Sequence, residues 1–532
     1  MTEPESRTAV AESTIAVPEA VPSREEASIT LKELENHLFK CADIIRNRVD
    51  KTDYKEYILP LVFYKAFDDT YEDNRRRVLE EKKDEGIDHK TALELAHDEA
   101  FHDYVVPREY RWTDLIDADN SALAVDQALQ SFQELNDAFD GIATVTYSDV
   151  DAFVQREDNR LEELLRHLGD VNLSRYRVPP DLLGEAYMDL VKHFAQEEGR
   201  DGGEFFTPPN LVELMVNLLE PYEKDTSIHD PTCGSGGMLI QVAQHLQTVQ
   251  KVPEDHWRSV RFTGQEINDT VYAMAQMNLA IHDVTGEIRK GDSLASPQFT
   301  TPDNKLQQFD YVLANFPFSA RWPQEKLEED PYHRFDSLDK LPRKDRGDYA
   351  FILHMAAQLN ETGQAAIVIP HGVLFRKHEG VFREHLIEQD LIEAVIGLPA
   401  NLFQNNSIPA AILVLNCEKP KDREDQILFI HADDEQYYEE LSNQKRLLDE
   451  AIHDISGIFK EKQTIERRSR LVPHDEIKDN DYNLNIALYV DTTEPEEDID
   501  VAEELAKLRE LQAERDEIEG RMTEHMEALE YE

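Results

Sequence analysis

Cysteine is scarce in this 532-residue sequence, which contains only Cys41, Cys233 and Cys417. The three lie far apart and share no Cys-x-x-Cys spacing, which argues against a disulfide framework and against a zinc site. Long apolar runs are also missing. No window approaches the roughly 18 apolar residues that a membrane-spanning helix needs, and the N-terminus lacks a signal-peptide pattern. These absences predict a cytoplasmic protein with no metal site.

Basic residues are outnumbered: 56 Lys and Arg stand against 110 Asp and Glu, giving a formal net charge of −54. An excess of this size ordinarily opposes binding to another polyanion such as DNA. The acidic residues are spread along the chain rather than gathered in one tail, as in proteins that stay soluble in concentrated salt. We therefore expect a halophilic source, because a Debye length of about 3 Å in molar salt removes long-range repulsion.

Composition and periodicity divide the chain into four stretches. Residues 1–28 are polar and aperiodic, which predicts a disordered leader. Apolar residues at helical spacing dominate residues 29–174, where Pro60 should kink or start a helix. Residues 175–430 carry an α/β pattern. Residues 431–532 are charged and helical again, and they are expected either to dock on a partner or on the N-terminal helices, or to end in a solvated helix.

Short β-type runs alternate with helical stretches in the third region, which predicts a mostly parallel, Rossmann-like sheet with crossover helices. The runs span residues 226–229, 260–265, 309–314, 365–369, 392–398 and 410–415. The helical stretches span residues 237–249, 270–282 and 349–359, followed near the C-terminus by 437–462 and 501–531. The fold class is therefore α/β with helical flanking regions.

A glycine-rich turn, DPTCGSGG at residues 230–237, follows the first run. Glycines at such a turn let a ligand approach the backbone. Glu266 closes the next strand, where a carboxylate can accept ribose hydroxyls, and Asp292 at the end of a third strand can accept from an adenine amino group. Each acid alone also fits an ordinary solvated loop. Neither a pyrophosphate-type glycine spacing nor a phosphate loop is present, which favours a nucleoside cofactor without pyrophosphate, such as S-adenosylmethionine.

The sequence ANFPFS at residues 314–319 indicates the reaction. An aromatic amine is a poor nucleophile because its lone pair is delocalised, so an enzyme must hold both amino hydrogens on acceptors. The Asn315 side-chain oxygen and the carbonyl of Phe316, which precedes a proline and is therefore extended, supply two acceptors. Phe318 would stack on a base flipped out of the duplex. A strand end that enters a proline turn for structural reasons alone is the alternative.

These residues resemble a known family. The tetrad at residues 315–318 resembles the Asn-Pro-Pro-Phe motif of amino-group DNA methyltransferases and departs from it at Phe316. Upstream, GEFFTPPN at residues 203–210 is similar to the segment with which type I modification subunits hold the methionine part of S-adenosylmethionine. Further similar segments span residues 54–67, 348–352, 369–376, 401–409 and 481–491. The resemblance covers about residues 30–495.

The resemblance implies a modification subunit of a type I restriction-modification system, an N6-adenine DNA methyltransferase that uses S-adenosylmethionine. The implied catalytic residues are Asn315, Phe316, Pro317 and Phe318. The cofactor-binding residues are Glu204, Phe205, Phe206, Thr207, Pro208, Asp230, Thr232, Gly234, Ser235, Gly236, Glu266 and Asp292. The implied partners are DNA with a flipped adenine, a specificity subunit, a second copy of the chain and, in some systems, a motor-nuclease restriction subunit.

Alternatives remain open at this stage. A glutamine side-chain methyltransferase needs the same two acceptors, and a cofactor- or DNA-binding assembly subunit would need no catalysis. Arg343, Lys344 and Arg346 are candidates for phosphate contacts, although a surface ion-pair cluster is the commoner meaning of such a run. Because Phe316 acts through its carbonyl, Phe316→Pro is expected to keep activity within about tenfold unless the phenyl ring packs in a way that proline cannot replace.

Overall fold

The computed structural model describes residues 27–46, 49–50, 53–136, 139, 141–143, 145–154, 159–197, 207–220, 224–248, 251–324, 330–403, 408–441, 444–492 and 501–529. The leader predicted at residues 1–28 lies almost entirely outside the described residues. The chain forms two compact units, residues 1–490 and residues 491–532. Among the described residues, no helix combines the length and the apolar content needed to cross a membrane.

The first part of the larger unit is helical, as its periodicity predicts. Its helices are α1 (Leu31–Ile45), α2 (Tyr54–Asp84), α3 (His89–Leu95), α4 (Trp112–Asp117), α5 (Ser121–Leu135), α6 (Asp151–Val154), α7 (Arg160–Gly169) and α8 (Pro180–Glu197). Thr30 and Glu33 form a capping box that starts α1. Pro60 lies inside α2 and therefore does not start that helix. Apart from α3, which packs with the end of α2 in a small separate cluster, these helices share one core with residues of a later helix, including Met274 and Met277.

A mixed sheet with covering helices follows. Its strands are β1 (Ser227–Asp230), β2 (Arg261–Glu266), β3 (Gly286–Lys290), β4 (Phe309–Asn315), β5 (Leu359–Pro370), β6 (Ile392–Gly397), β7 (Ala410–Asn416), β8 (Gln426–His431) and β11 (Ser469–Pro473), while β9 (Tyr438–Glu440) and β10 (Lys445–Leu447) pair separately. The remaining helices are α9 (Pro209–Leu219), α10 (Gly237–Thr248), α11 (Glu254–Trp257), α12 (Asp269–Ile281), α13 (Asp348–Ala357), α14 (Gly372–Phe375), α15 (Gly380–Glu388), α16 (Asp449–Glu461), α17 (His474–Asp479) and α18 (Val501–Ala528).

The nine strands of the main sheet lie in the order β11-β8-β6-β7-β5-β4-β1-β2-β3. Strands β3, β2, β1, β4 and β5 are parallel neighbours, and β7 runs antiparallel to both β5 and β6. All six predicted β-type runs are strands of this sheet. The predicted α/β, Rossmann-like class is therefore confirmed, and parallel β1, β2 and β4 bring their carboxyl ends to one edge, where such sheets bind ligands.

The chain beyond residue 430 differs from the helical pattern expected there. Strand β11 joins the edge of the main sheet by antiparallel pairing with β8. The helix expected at residues 437–462 is shorter, because the antiparallel pair of β9 and β10 precedes α16. Strands of three residues are too short to show an alternating pattern in the sequence. The two strands are also joined by side chains, since the Lys445 ammonium lies 3.6 Å from the centre of the Tyr438 ring. The domain boundaries at residues 174 and 430 stay predictions.

The second unit contains one long helix. Helix α18 spans 28 residues, close to the predicted range of 501–531. Leu505, Leu508, Met522 and Met526, four of its apolar residues, are exposed.

Candidate active site

A cavity of about 260 Å³ opens at the edge where β1, β2 and β4 end. Nine of the predicted site residues line it: Thr207, Asp230, Thr232, Gly234, Ser235, Glu266, Asp292, Asn315 and Pro317. Other lining residues were not among the predicted site residues, although Pro231 and Cys233 belong to the predicted turn: Pro231, Cys233, Gln265, Ile267, Ser293, Arg321, Trp322 and Phe351 among them. The predicted cofactor turn and the predicted catalytic tetrad therefore face one space.

The glycine-rich turn has the backbone that its sequence predicts. Gly234 and Gly236 have φ values of 53° and 78°, a region that favours glycine. A Cβ atom at Gly236 would lie 2.5 Å from the Leu279 Cδ1 atom. Gly236 was predicted to bind the cofactor, but it does not line the cavity. Gly236 faces α12, and its lack of a side chain lets the turn pack closely against that helix.

Two carboxylates shape one wall of the cavity. Glu266 accepts hydrogen bonds from the backbone amides of Gly234, at 3.1 Å, and Asn268, at 2.8 Å, so its position at the end of β2 is fixed. Asp230 accepts from the Thr232 amide at 2.9 Å. Burial, with a contribution from the charge of Glu266, raises the pKa of Asp230 to about 7. Burial also raises the pKa of Glu266. Both carboxylates line the cavity, and in their ionised form they favour a cation there.

Asp292 lies in the loop that follows β3, directly after Gly291, whose amide donates to the Glu266 carbonyl at 2.9 Å. Its carboxylate accepts hydrogen bonds from the amides of Leu294, at 2.9 Å, and Ala295, at 3.1 Å. The buried Arg334 supports this loop by donating to the Leu294 carbonyl at 2.9 Å, while it forms an ion pair with Asp330. The sequence gives no sign of the ion pair between Arg334 and Asp330, because Arg334 lies 40 residues after Leu294, whose loop it supports.

Asn315 lies at the carboxyl end of β4. Its side-chain nitrogen donates a hydrogen bond to the Thr207 hydroxyl at 3.1 Å. Using the nitrogen in this way fixes the orientation of the amide and presents its carbonyl oxygen as a hydrogen-bond acceptor. Thr207 and Asn315 both line the cavity, so the predicted methionine-side segment and the predicted catalytic residue are in direct contact.

The aromatic residues of the tetrad have different environments. The Phe316 ring is only 2% exposed and stacks on Phe351 with ring centres 5.2 Å apart. Phe318 is half-buried, and its ring meets Phe403 edge-on at 6.2 Å. Neither ring lines the cavity. The condition under which Phe316→Pro would fail, a packed phenyl ring, is therefore met.

The loop after the tetrad is pinned by a buried acid. Ser319 has a φ of 54°, and its amide donates to the Asp348 carboxylate at 2.6 Å. Asp348, the first residue of α13, is fully buried and pairs with Arg376 at 2.7 Å. The resemblance of residues 348–352 and 369–376 to the same family thus corresponds to two segments that meet beside the cavity.

Some predicted residues cannot be placed in this way. Glu204, Phe205 and Phe206 lie outside the described residues. Pro208 precedes α9. One group of possible metal ligands, Asp390, Asp425 and His474, occurs among the described residues, but none of them lines the cavity. Lys419 forms an ion pair with Asp390, which already supplies a positive charge there.

Comparisons with known proteins agree with this geometry. The sequence profile of the N-6 DNA methylase family matches residues 178–498, and that of the HsdM N-terminal domain matches residues 34–168. The methylase subunit of the MjaVII type I restriction enzyme of Methanocaldococcus jannaschii is 32% identical over 94% of this chain and 85% of its own length. The corresponding MpnII subunit of Mycoplasma pneumoniae is 28% identical over 88% of this chain and 91% of its own length.

A solved structure gives the same result. The methyltransferase subunit of a type I restriction-modification system from Streptococcus thermophilus superposes with a TM-score of 0.72 and 28% identity, covering 87% of this chain and 100% of that one. The profile match extends over more than half of the sequence, and the M. jannaschii relative aligns over nearly all of it. This chain therefore belongs to the N-6 DNA methylase family, among the methylase subunits of type I restriction-modification systems.

Proposed function

We propose that this chain is a site-specific DNA methyltransferase that moves a methyl group from S-adenosylmethionine to the N6 amino group of adenine. The observation that carries the proposal is the hydrogen bond from Asn315 to Thr207, which orients the Asn315 amide at the rim of an acidic cavity built for a nucleoside. An amide oxygen held in this way suits the amino group of a flipped base.

The residues present fit the cofactor. S-adenosylmethionine is a nucleoside with a net positive charge and no pyrophosphate, and the cavity combines carboxylates with a glycine turn that lacks a pyrophosphate spacing. Glu266, fixed by two amides, would accept the ribose hydroxyls, and Asp292 would accept from the adenine amino group. Thr207 and Asp230 would lie on the methionine side. When bound, the cofactor supplies an electrophilic methyl group on its sulfonium.

The protein's own part in the reaction is positioning and charge stabilisation. The Asn315 oxygen and the Phe316 carbonyl would hold the two amino hydrogens of the adenine and stabilise positive charge as it develops on N6. Phe318, half-buried beyond the tetrad proline, would contact the flipped base. The proton is released afterwards to solvent or a nearby acceptor, and transfer proceeds without a covalent intermediate.

Sequence recognition must come from a partner. No segment between the motifs is long enough for a base-reading domain, so we propose that a specificity subunit binds two copies of this chain in the cytoplasm. A motor-nuclease subunit would join where cleavage accompanies methylation. Helix α18, with its exposed apolar residues, is the proposed docking element within residues 431–532.

The two alternatives are less well supported. A glutamine methyltransferase would use the same acceptors, but the family profiles and relatives that match are those of DNA methylases. An assembly subunit without catalysis would not need an oriented amide, and Asn315 has one.

The test uses the purified chain with and without its specificity subunit. Calorimetry should show that the chain alone binds S-adenosylmethionine, and a radiolabel assay should show site-specific transfer to DNA only in the complex. Mass spectrometry of the product nucleosides should identify N6-methyladenine. Site-specific transfer by the isolated chain would refute the partner requirement, and a different methylated product would refute the assigned reaction.

A further inference from the structure

Two cationic segments stand out in this acidic chain. The first, KLPRKDR at residues 340–346, contains four basic residues in seven, and the second, RKH at residues 376–378, follows α14. They are 30 residues apart in sequence. The first lies in the long connection between β4 and α13, and the second lies just beyond the carboxyl end of β5, the parallel neighbour of β4.

The fold brings both segments to the mouth of the cavity. The Gly347 amide donates to the Ala320 carbonyl at 2.8 Å, and the Trp322 indole donates to the Arg343 carbonyl at 2.9 Å. Ala320 and Trp322 line the cavity, so the first segment is bonded directly to its wall. Arg376 reaches the same place through its 2.7 Å ion pair with Asp348.

Cations of both segments act on one histidine. The pKa of His378 is lowered by partial burial and by the positive charges of Arg343, Arg346, Arg376 and Lys340. Cations of both segments therefore lie near His378. We call Lys340, Arg343, Arg346, Lys377 and His378 the basic rim.

The cations of the basic rim differ in their ion pairs with described carboxylates. Arg343 is paired with Asp345 at 2.8 Å, as expected for a surface ion-pair cluster. In contrast, Lys340, Arg346 and Lys377 form no ion pair with a carboxylate in the part of the chain that the structure describes. In a chain with a net charge of −54, cations left in this state beside a reaction site indicate an external anionic partner.

An exposed aromatic ring lies next to this charge. Phe375, directly before the second segment, has 47% of its surface exposed. Basic residues interleaved with an exposed aromatic ring are typical of nucleic-acid contact surfaces. A flipped adenine must also be held by its backbone, because the phosphates on either side of it swing with the nucleotide.

We propose that the basic rim binds the DNA phosphates that flank the target adenine. This inference rests on the proposed function and assigns its backbone contact to a particular surface. The rim would tolerate the overall negative charge of the chain because short-range contacts survive in concentrated salt, whereas long-range repulsion does not. The basic rim would contact phosphates and not bases. Its contribution to the DNA-binding free energy should therefore be the same for cognate and non-cognate duplexes.

The test compares two triple variants in the complex with the specificity subunit. The rim variant carries Lys340→Gln, Arg346→Gln and Lys377→Gln. The matched control carries Lys83→Gln, Lys90→Gln and Lys421→Gln, which remove the same charge at exposed positions elsewhere. Binding to labelled cognate and non-cognate duplexes is measured by fluorescence anisotropy across a series of potassium chloride concentrations. S-adenosylmethionine affinity is measured by calorimetry.

The rim variant should bind both duplexes more weakly than the control by at least tenfold. Its plot of log affinity against log salt should lose about 2–3 in slope, since each phosphate contact contributes about 0.9. Cofactor affinity should match that of the control. Equal DNA affinity and equal slope in the two variants would overturn the assignment of the rim while leaving the proposed function intact. Failure of the unmodified complex to bind or methylate DNA would overturn both.

Discussion

At the scale of single residues, the contact between Thr207 and Asn315 would link cofactor binding to catalysis in the proposed mechanism. Thr207 belongs to the segment expected to hold the methionine part of S-adenosylmethionine, yet its hydroxyl also accepts the Asn315 amide hydrogen. If the hydroxyl is lost, the amide is free to rotate and to present its nitrogen, a donor, where an acceptor is required. Thr207 is therefore a positioning residue in this account.

Thr207→Val, which is isosteric but lacks the hydroxyl, should lower kcat by about 10- to 100-fold, in the range for loss of one oriented group at a reacting centre. Thr207→Ser keeps the hydroxyl and should restore most of the rate. Steady-state kinetics of the assembled complex separate kcat from KM for the cofactor. Equal loss of kcat in the Val and Ser variants would contradict the positioning role.

Asp230 should make cofactor binding depend on pH. Its pKa is about 7, above its ordinary value of 3.8, so it is largely neutral at pH 6 and ionises as the pH rises through 7. Only the ionised form attracts a positively charged cofactor. The dissociation constant of S-adenosylmethionine should therefore fall between pH 6 and pH 8, by up to about tenfold for each pH unit below the pKa.

Calorimetry at several pH values checks this expectation. Asp230→Asn should bind the cofactor more weakly and with a flatter pH profile. Asp255→Asn, on the exposed surface of α11, serves as the matched control and should keep the slope. An Asp230→Asn variant that retained the full slope would assign the titration to another group.

At the scale of elements, the central strands were predictable because their buried residues form continuous apolar runs. Strands β6 and β7 are buried throughout and β4 is buried over residues 312–314, and all three were expected. Strand β3 was expected only as the strand that ends before Asp292, without bounds, and β8 and β11 were not among the predicted runs. Strands β3 and β11 form the two edges of the sheet. In β3 only Ile288 is buried, and its charged neighbours hide the pattern. Edge strands are held mainly by backbone pairing, which leaves little trace in residue type.

The same reasoning explains which parts of the site were predictable. Strand ends carry functional side chains in parallel sheets, so Glu266 and Asn315 followed from sequence. The buried Arg334 and Asp330 pair, and the hydrogen bond from Asn315 to Thr207, join residues from separate segments. Such contacts depend on the folded packing and not on local spacing. The resemblance to a family identified both Thr207 and Asn315, but not the hydrogen bond between them.

The stack of Phe316 on Phe351 joins the end of β4 to α13. Phe316→Pro would remove most of a buried ring, so we expect the free energy of unfolding to fall by about 2–4 kcal/mol. The transfer rate should also fall by more than tenfold, because the carbonyl of residue 316 loses its support. Phe316→Leu, which fills more of the space, should cost about 1 kcal/mol.

Urea unfolding and single-turnover transfer test this pair of variants. The carbonyl remains in both, so a mechanism that needs only the carbonyl would predict little change in either. A Phe316→Pro variant as stable and as active as the unmodified chain would show that the stack is dispensable.

At the scale of the whole molecule, the net charge of −54 should make stability depend on salt. Lowering the ionic strength lengthens the Debye range from about 3 Å in molar salt to about 10 Å at 0.1 M and lets acidic self-repulsion act. The melting temperature should therefore rise steadily between 0.1 M and molar potassium chloride. A temperature that stays flat or falls over this range would argue against a protein adapted to concentrated salt.

The same charge explains why DNA binding should rely on a small cationic surface and on a partner. Repulsion acts over the whole surface in dilute salt, whereas the basic rim acts only at contact distance. We expect site-specific methylation by the complex to require the same salt range that stabilises the fold. Cofactor binding, which takes place inside the cavity, should be less sensitive to salt once the protein is folded.

The most direct test of the central claim is single-turnover methylation of a cognate duplex by complexes that carry Asn315 or Asn315→Ala. The substitution removes the oriented acceptor and leaves Glu266 and the glycine turn unchanged. We predict that the transfer rate falls by about 10²- to 10³-fold while the affinity for S-adenosylmethionine stays nearly constant. Near-normal transfer by Asn315→Ala would contradict the account, because the amide of Asn315 would then not be the acceptor on which methylation of adenine depends.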